Sequence, residues 1–357
     1  MIETLSSRVL SSLSPRKAVL ITVSILVGVV LLSSVYSSHM WVPSTTASAG
    51  TPSYSLATSD DFIVSGNIWR PIANTVTKSH RVHADLVEET NDRDHVMQRF
   101  PQAIIIGVKK GGTRALIDML KSHPQIKSAT GEVHFFDREE NFGKGIKWYI
   151  NKMPFTTQNQ VTIEKSPSYF VIPDVPQRMH TLSLDLKLIL IVRNPIDRAI
   201  SDYCQLYNPE RSSKNLSFEE LVLSNNQVNG AVSVITVSTY DVHMARWLKY
   251  FHLEQIHIVD GDALIQNPAP EVIKVERFLG VTQFFHEDMF YYNASKGFYC
   301  WKVSRRSKDV PHCLGSGKGR QHPNISHNAM QLLRNFFKPH NQRFYELVER
   351  SFSWEDS

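Results

Sequence analysis

The sequence predicts an α/β domain with a central parallel sheet flanked by helices, preceded by an N-terminal transmembrane helix. Three observations predict it. Four short apolar runs alternate with stretches of helical periodicity. The chemistry-bearing motifs fall just after those runs. A charge-free apolar stretch lies near the N-terminus. The 357 residues are 42% hydrophobic and 20% charged, a globular composition that excludes a disordered or collagen-like chain. The length allows one large domain with an appendage, or two domains. Lys plus Arg is 39 against 34 Asp plus Glu, so the net charge of +5 permits an anionic partner without demanding one. Three cysteines exclude a disulfide-rich miniprotein and a four-thiolate zinc site.

The apolar stretch is residues 18–36, AVLITVSILVGVVLLSSVY. At 1.5 Å per residue it reaches roughly 28 Å, close to the thickness of a bilayer core. Arg8, Arg16 and Lys17 precede it, and no Lys or Arg follows until Arg70. The positive-inside rule then makes 1–17 a cytosolic tail and sends the rest across. The alternative is a cleaved signal peptide, but the run is longer than the usual apolar region of one. Both readings put the bulk of the chain in a secretory lumen or outside the cell. Residues 37–99 read as a lumenal stem, rich through Thr58 in Ser, Thr, Ala, Gly and Pro. Residues 100–357 read as one domain.

Within that domain QAIIIGV (102–108) is the first strand, broken by KKGG and followed by a helix with Leu116, Met119 and Leu120 on one face. VTIEKSP (161–167) is the second. LKLILIVR (186–193) is apolar throughout its middle, as a parallel strand buried on both faces should be. A helix follows it, with Asn194 as N-cap and Pro195 at the first helical position. QIHIVDG (255–261) is the fourth, between the helical segments TYDVHMARWLKYF and PEVIKVERFLG. Strands alternating with helices imply a parallel sheet, and such sheets bind ligands beyond their carboxyl ends.

Two motifs at those ends fit anions. In Lys109-Lys110-Gly111-Gly112-Thr113-Arg114 the glycines let the backbone approach a phosphate, the next helix aims its N–H groups at it, and Lys110, Thr113 and Arg114 add donors. The pattern departs from the Walker A loop, because Gly112 is followed by Thr-Arg rather than Lys-Ser or Lys-Thr. The third strand also ends in Arg193 and not in an acid, so a magnesium nucleotide is a poor fit. The alternative is a basic surface turn. Arg193 closing a strand and Ser201 two turns into the following helix can grip a second phosphate. Alternatively Arg193 caps a carbonyl and Ser201 faces solvent.

These two motifs, in this order, resemble the elements with which sulfotransferases hold the 5′-phosphosulfate and the 3′-phosphate of 3′-phosphoadenosine 5′-phosphosulfate. GEVHFFD (131–137), GKGIKWY (143–149), IEKSPSYF (163–170), RAISDY (198–203), RWLKYF (246–251), VDGD (259–262), GFYCW (297–301) and KGRQHP (318–323) sharpen the likeness. From about Ala103 to the C-terminus the chain resembles the heparan sulfate glucosaminyl 3-O-sulfotransferase family.

The resemblance implies a P-loop-like sulfotransferase fold and a Golgi membrane enzyme of single-pass type II topology, anchored by residues 18–36. Its donor co-substrate would be 3′-phosphoadenosine 5′-phosphosulfate, with no metal required, and its partner heparan sulfate, with no nucleic acid. Glu132 takes the part of catalytic base, since a sugar hydroxyl needs a positioned base to lose its proton during attack. His134 and Asp137 orient and support it, and Lys110 and Lys165 meet the charge that grows on the leaving side. Taken alone, Glu132 would read as a cap or surface acid and His134 as a structural histidine. Lys318, Gly319, Arg320, Gln321 and His322 correspond to a loop closing over the nucleotide.

Acceptor contacts are implied for Lys109, Arg114, Arg138, Lys165, Ser166, Ser168, Gln205, Lys318 and Arg320, and for Trp247 and Leu248, with core packing the alternative for Trp247. The family pairs the cysteines corresponding to Cys300 and Cys313, leaving Cys204 as a buried thiol. Asn215, Asn293 and Asn324 begin glycosylation sequons. The competing readings are a lumenal nucleotide-dependent kinase, an N-sulfotransferase-like enzyme, and a membrane-anchored heparin-binding protein without catalysis.

Overall fold

The computed structural model describes residues 95–206, 216–305, 308–315 and 322–354. The span 18–36, the tail before it and nearly all of the stem lie outside the described residues. So do Asn215, Lys318, Gly319, Arg320 and Gln321.

Five parallel strands form the central sheet: β1 (Ala103–Gly107), β2 (Ile126–Ser128), β3 (Val161–Lys165), β4 (Lys187–Val192) and β5 (Ile256–Asp260), in the order β2-β3-β1-β4-β5. The four strands read from the sequence are all present. The edge strand β2 is the addition; its three residues, Ile-Lys-Ser, carry no apolar run to announce it. Strand alternation sorts the side chains onto two faces. Ile104, Ile106, Leu188, Leu190 and Val192 enter one apolar core, and Ala103, Ile105, Ile163, Ile189 and Ile191 enter another. Every one of these is buried. A fully buried Ile or Leu contributes on the order of 2 kcal/mol, so both faces must be covered.

Helices cover them. α1 (Thr113–Leu120) and α6 (Pro268–Leu279) lie on the second core through Leu116, Leu120, Val272 and Val275. α2 (Val175–Leu182), α4 (Tyr240–Trp247) and α7 (His327–Val348) close the first through Met179, Met244, Trp247 and Phe344. α3 (Pro195–Leu206) begins as the sequence predicts, with Asn194 Oδ1 accepting from the Ile196 N–H at 2.9 Å. The short α5 (Gly261–Gln266) follows β5 directly. α7 is not evident from sequence pattern, because Pro339 sits inside it.

A three-stranded antiparallel sheet, β6 (Phe290–Asn293), β7 (Phe298–Arg305) and β8 (Lys308–His312), precedes α7, and a Cys300–Cys313 disulfide fastens it. At the other end Met97 and Gln98 pair with Phe155 and Thr156, and Arg99 donates to the Thr156 carbonyl at 3.0 Å. The packed chain therefore reaches a few residues ahead of Phe100.

Candidate active site

A cleft of about 810 Å³ opens at the carboxyl ends of β1, β3 and β4. Its floor is the turn after β1. Val108 N–H bonds Ile191 O at 2.9 Å, and Gly111 N–H turns back to Val108 O at 2.9 Å. A Cβ on Gly111 would stand 2.5 Å from Ile191 O, so backbone approaches backbone with no room for a side chain. Gly112 has φ 118° and Lys110 φ 72°, both left-handed. α1 then starts without a side-chain cap and without an acid in its first turn, leaving its N–H groups and dipole for an anion. Lys110 Nζ bonds Gln205 Oε1 at 3.0 Å across the cleft. Lys109 pairs with Asp202 at 3.1 Å, and Asp202 also holds the fully buried Arg198, whose guanidinium donates to the Lys109 carbonyl. The loop is thus tied to α3.

Arg193 and Ser201 line the same cleft. Asp197 and Asp262 each stand 3.4 Å from the Arg193 guanidinium, whose buried Nε makes no hydrogen bond. His322 is close by; burial, with Arg193 and Lys110 adding to it, holds its imidazole below the ordinary pKa.

On the opposite wall the segment 131–137 has neither helical nor strand structure. Glu132 pairs with Lys165 through one carboxylate oxygen and lies 3.3 Å from His134 Nε2 through the other. His134 Nδ1 is 2.9 Å from Asp137, and the Ser168 hydroxyl donates to the same Asp137 carboxylate. His134 has φ 52°, an uncommon conformation for a non-glycine residue. Side chains from outside hold it there. Ser166 Oγ accepts from His134 N–H, Tyr169 Oη accepts from Phe135 N–H, and Asn141 donates to the Val133 and His134 carbonyls.

The cleft gathers most of the residues singled out from sequence: Lys109 to Arg114, Glu132, His134, Asp137, Arg138, Lys165, Ser168, Arg193, Ser201, Gln205 and His322. Four do not fit their expected place. Trp247 is fully buried, with its indole N–H donating to the Phe170 carbonyl, and Leu248 packs on the same core. Neither faces the cleft; the helical spacing of apolar residues won. Ser166 is buried beneath the 131–137 segment. Cys204 is not a buried thiol but half-buried on the cleft wall. Asn324 is exposed and Asn293 half-buried at the end of β6. Ile265, Phe298 and Leu314 also line the cleft. No local signal marks them, because they arrive from distant elements.

A parallel sheet with a glycine loop at one strand end, an arginine at the next and an ion-paired carboxylate opposite is a sulfotransferase architecture. The chain matches the sulfotransferase domain model over residues 100–351. Human heparan sulfate glucosamine 3-O-sulfotransferase 5 is 46% identical over 263 residues, covering 72% of this chain and 75% of that protein. Mouse heparan sulfate glucosamine 3-O-sulfotransferase 3A1 is 43% identical over 265 residues, covering 73% and 66%. A sulfotransferase from Alicyclobacillus acidocaldarius shares the fold, with a TM-score of 0.55 at 23% identity, covering 72% of this chain and 100% of that one. The chain belongs to the heparan sulfate glucosamine 3-O-sulfotransferase family.

Proposed function

We propose that the protein transfers the sulfuryl group of 3′-phosphoadenosine 5′-phosphosulfate to the 3-hydroxyl of a glucosamine residue in heparan sulfate, with Glu132 as base. The observation that carries this reading is the place of the Glu132 carboxylate, between Lys165 and His134 in the cleft that also holds the glycine loop. The donor supplies an activated sulfuryl group and a bisphosphate that departs with its charge. Lys110 and the start of α1 suit the 5′ side, and Arg193 and Ser201 the 3′-phosphate. The side-chain-free approach at Gly111 supports that fit.

Glu132 takes the hydroxyl proton as the sugar oxygen attacks sulfur in line. Lys165 fixes the carboxylate and places positive potential beside the transferring group. His134, braced by Asp137 and Ser168, orients the second carboxylate oxygen. Arg114, which is half exposed, and Arg138 offer guanidinium forks to the acceptor's sulfates and carboxylates. The family resemblance assigns Lys318 and Arg320 to the same acceptor. The anchor at 18–36 would hold this domain on the lumenal side of the Golgi membrane, which protease protection of sealed microsomes tests.

The Glu132→Gln variant tests the chemistry. Transfer should fall by about 10²-fold or more, the scale of general-base catalysis, while adenosine 3′,5′-bisphosphate binds as before. Normal turnover would remove Glu132 as base. Disaccharide analysis of the product decides the position: sulfate appearing on the amino group instead of the 3-hydroxyl would refute the regiochemistry.

A further inference from the structure

We infer that Glu164, a buried residue outside the cleft, is the positioning residue that sets the backbone on which Glu132 is carried. The inference rests on Glu132 being the base. Alternation along β3 sends Lys165 into the cleft and Glu164 to the other side, where it is 0% exposed. Its carboxylate accepts from the Ser166 hydroxyl, from the Tyr149 hydroxyl at 3.3 Å and from the Val133 N–H at 3.5 Å. Ser166 Oγ in turn accepts from the His134 N–H at 3.0 Å. The two peptide N–H groups that follow Glu132 therefore end on one carboxylate, one directly and one through a single hydroxyl. Neighbouring residues of β3 clamp the same short segment twice, Lys165 by the Glu132 side chain and Glu164 by the backbone. A left-handed His134 needs such outside support.

The titratable groups facing Glu164 are Tyr149 from the helical turn 145–150, Tyr169 from the turn after β3, and Asp137 from the 131–137 segment. None of them is a cation. Burial pushes the Glu164 carboxyl up to about 7, with Asp137 adding to the rise, while the bonds from Ser166, Val133 and Tyr149 oppose it. Once protonated, the acid needs an acceptor where three donors point at it, so a hydroxyl must turn and the clamp loosens. Activity should then carry an acid limb whose midpoint lies near 7.

Glu164→Gln keeps the shape and removes the titration. We expect kcat to fall roughly tenfold, on the scale of a sub-ångström misplacement, with both KM values within about twofold and the limb near pH 7 gone. Bisphosphate calorimetry reports whether the variant is folded. If it is not, Ser166→Ala carries the test: it leaves the His134 N–H without its acceptor and should lower kcat with donor affinity intact. Wild-type kcat in the folded variant, an acid limb that persists near pH 7, or a turnover loss that merely follows lost donor affinity would overturn the inference. Glu132→Gln assayed alongside separates the two readings. If Glu132→Gln is inactive while Glu164→Gln behaves as wild type, only the role of Glu164 falls. If Glu132→Gln turns over normally, the base assignment itself falls.

Discussion

The two walls of the cleft are built by different means. The loop after β1, besides its side-chain ties to α3, is seated on main chain: Gly111 rests on Ile191 O, and Gly261 rests in turn on the backbone oxygens of Gly111 and Val192. The 131–137 segment is held by side chains reaching in from Glu164, Ser166, Tyr169 and Asn141. Where atoms must approach within a backbone's width, only glycine serves, and the constraint is steric and nearly absolute. Where a loop is hung from hydrogen bonds, each support is worth about 1 kcal/mol and can be lost singly.

That contrast can be broken or sharpened by substitution. The largest effect should come from Gly111→Ala. Its methyl would lie 2.5 Å from a carbonyl oxygen, and the loop must move. We expect bisphosphate affinity to fall by about 100-fold, roughly 2.7 kcal/mol, in calorimetry. Unaltered affinity would mean that the floor is not rigid.

Tyr169→Phe should have an intermediate effect. It buries the Phe135 N–H without the acceptor it now has at 2.8 Å. A loss of about 1–3 kcal/mol in urea unfolding is expected, with lower kcat and unchanged donor affinity. If donor affinity fell instead, the two walls would not be separable.

Asp118→Asn should do least. It releases Arg114 and Lys121 from ion pairs on the solvent side of α1. Stability should move by no more than about 0.5 kcal/mol, and any change in kinetics should appear in the acceptor KM.

The difference between the walls also explains what could be read before the fold was known. Strands β1 and β4 announce themselves because burial on both faces demands apolar runs, β3 and β5 by β-branched residues interleaved with polar ones, and Gly111 and Gly112 announce the loop because close approach demands glycine. The capping Asn194 and the start of α3 are local chemistry and equally legible. Strand β2 is too short and too polar to stand out. Glu132, His134 and Asp137 lie together in sequence, but their partners Lys165 and Ser168 are some thirty residues away. Only tertiary structure brings them together, and resemblance to a family was the sole guide to that pairing. Trp247 shows the converse. Motif similarity put it at the acceptor, while its own helical periodicity correctly placed it in the core.

Gly111 and Gly261 have an evolutionary consequence. A Cβ on Gly261 would meet the Gly111 oxygen at 2.4 Å and the Val192 oxygen at 2.8 Å. Three strand ends are thus stacked like bare masonry. This corner is closed to every residue but glycine, so any change the domain tolerates has to fall elsewhere.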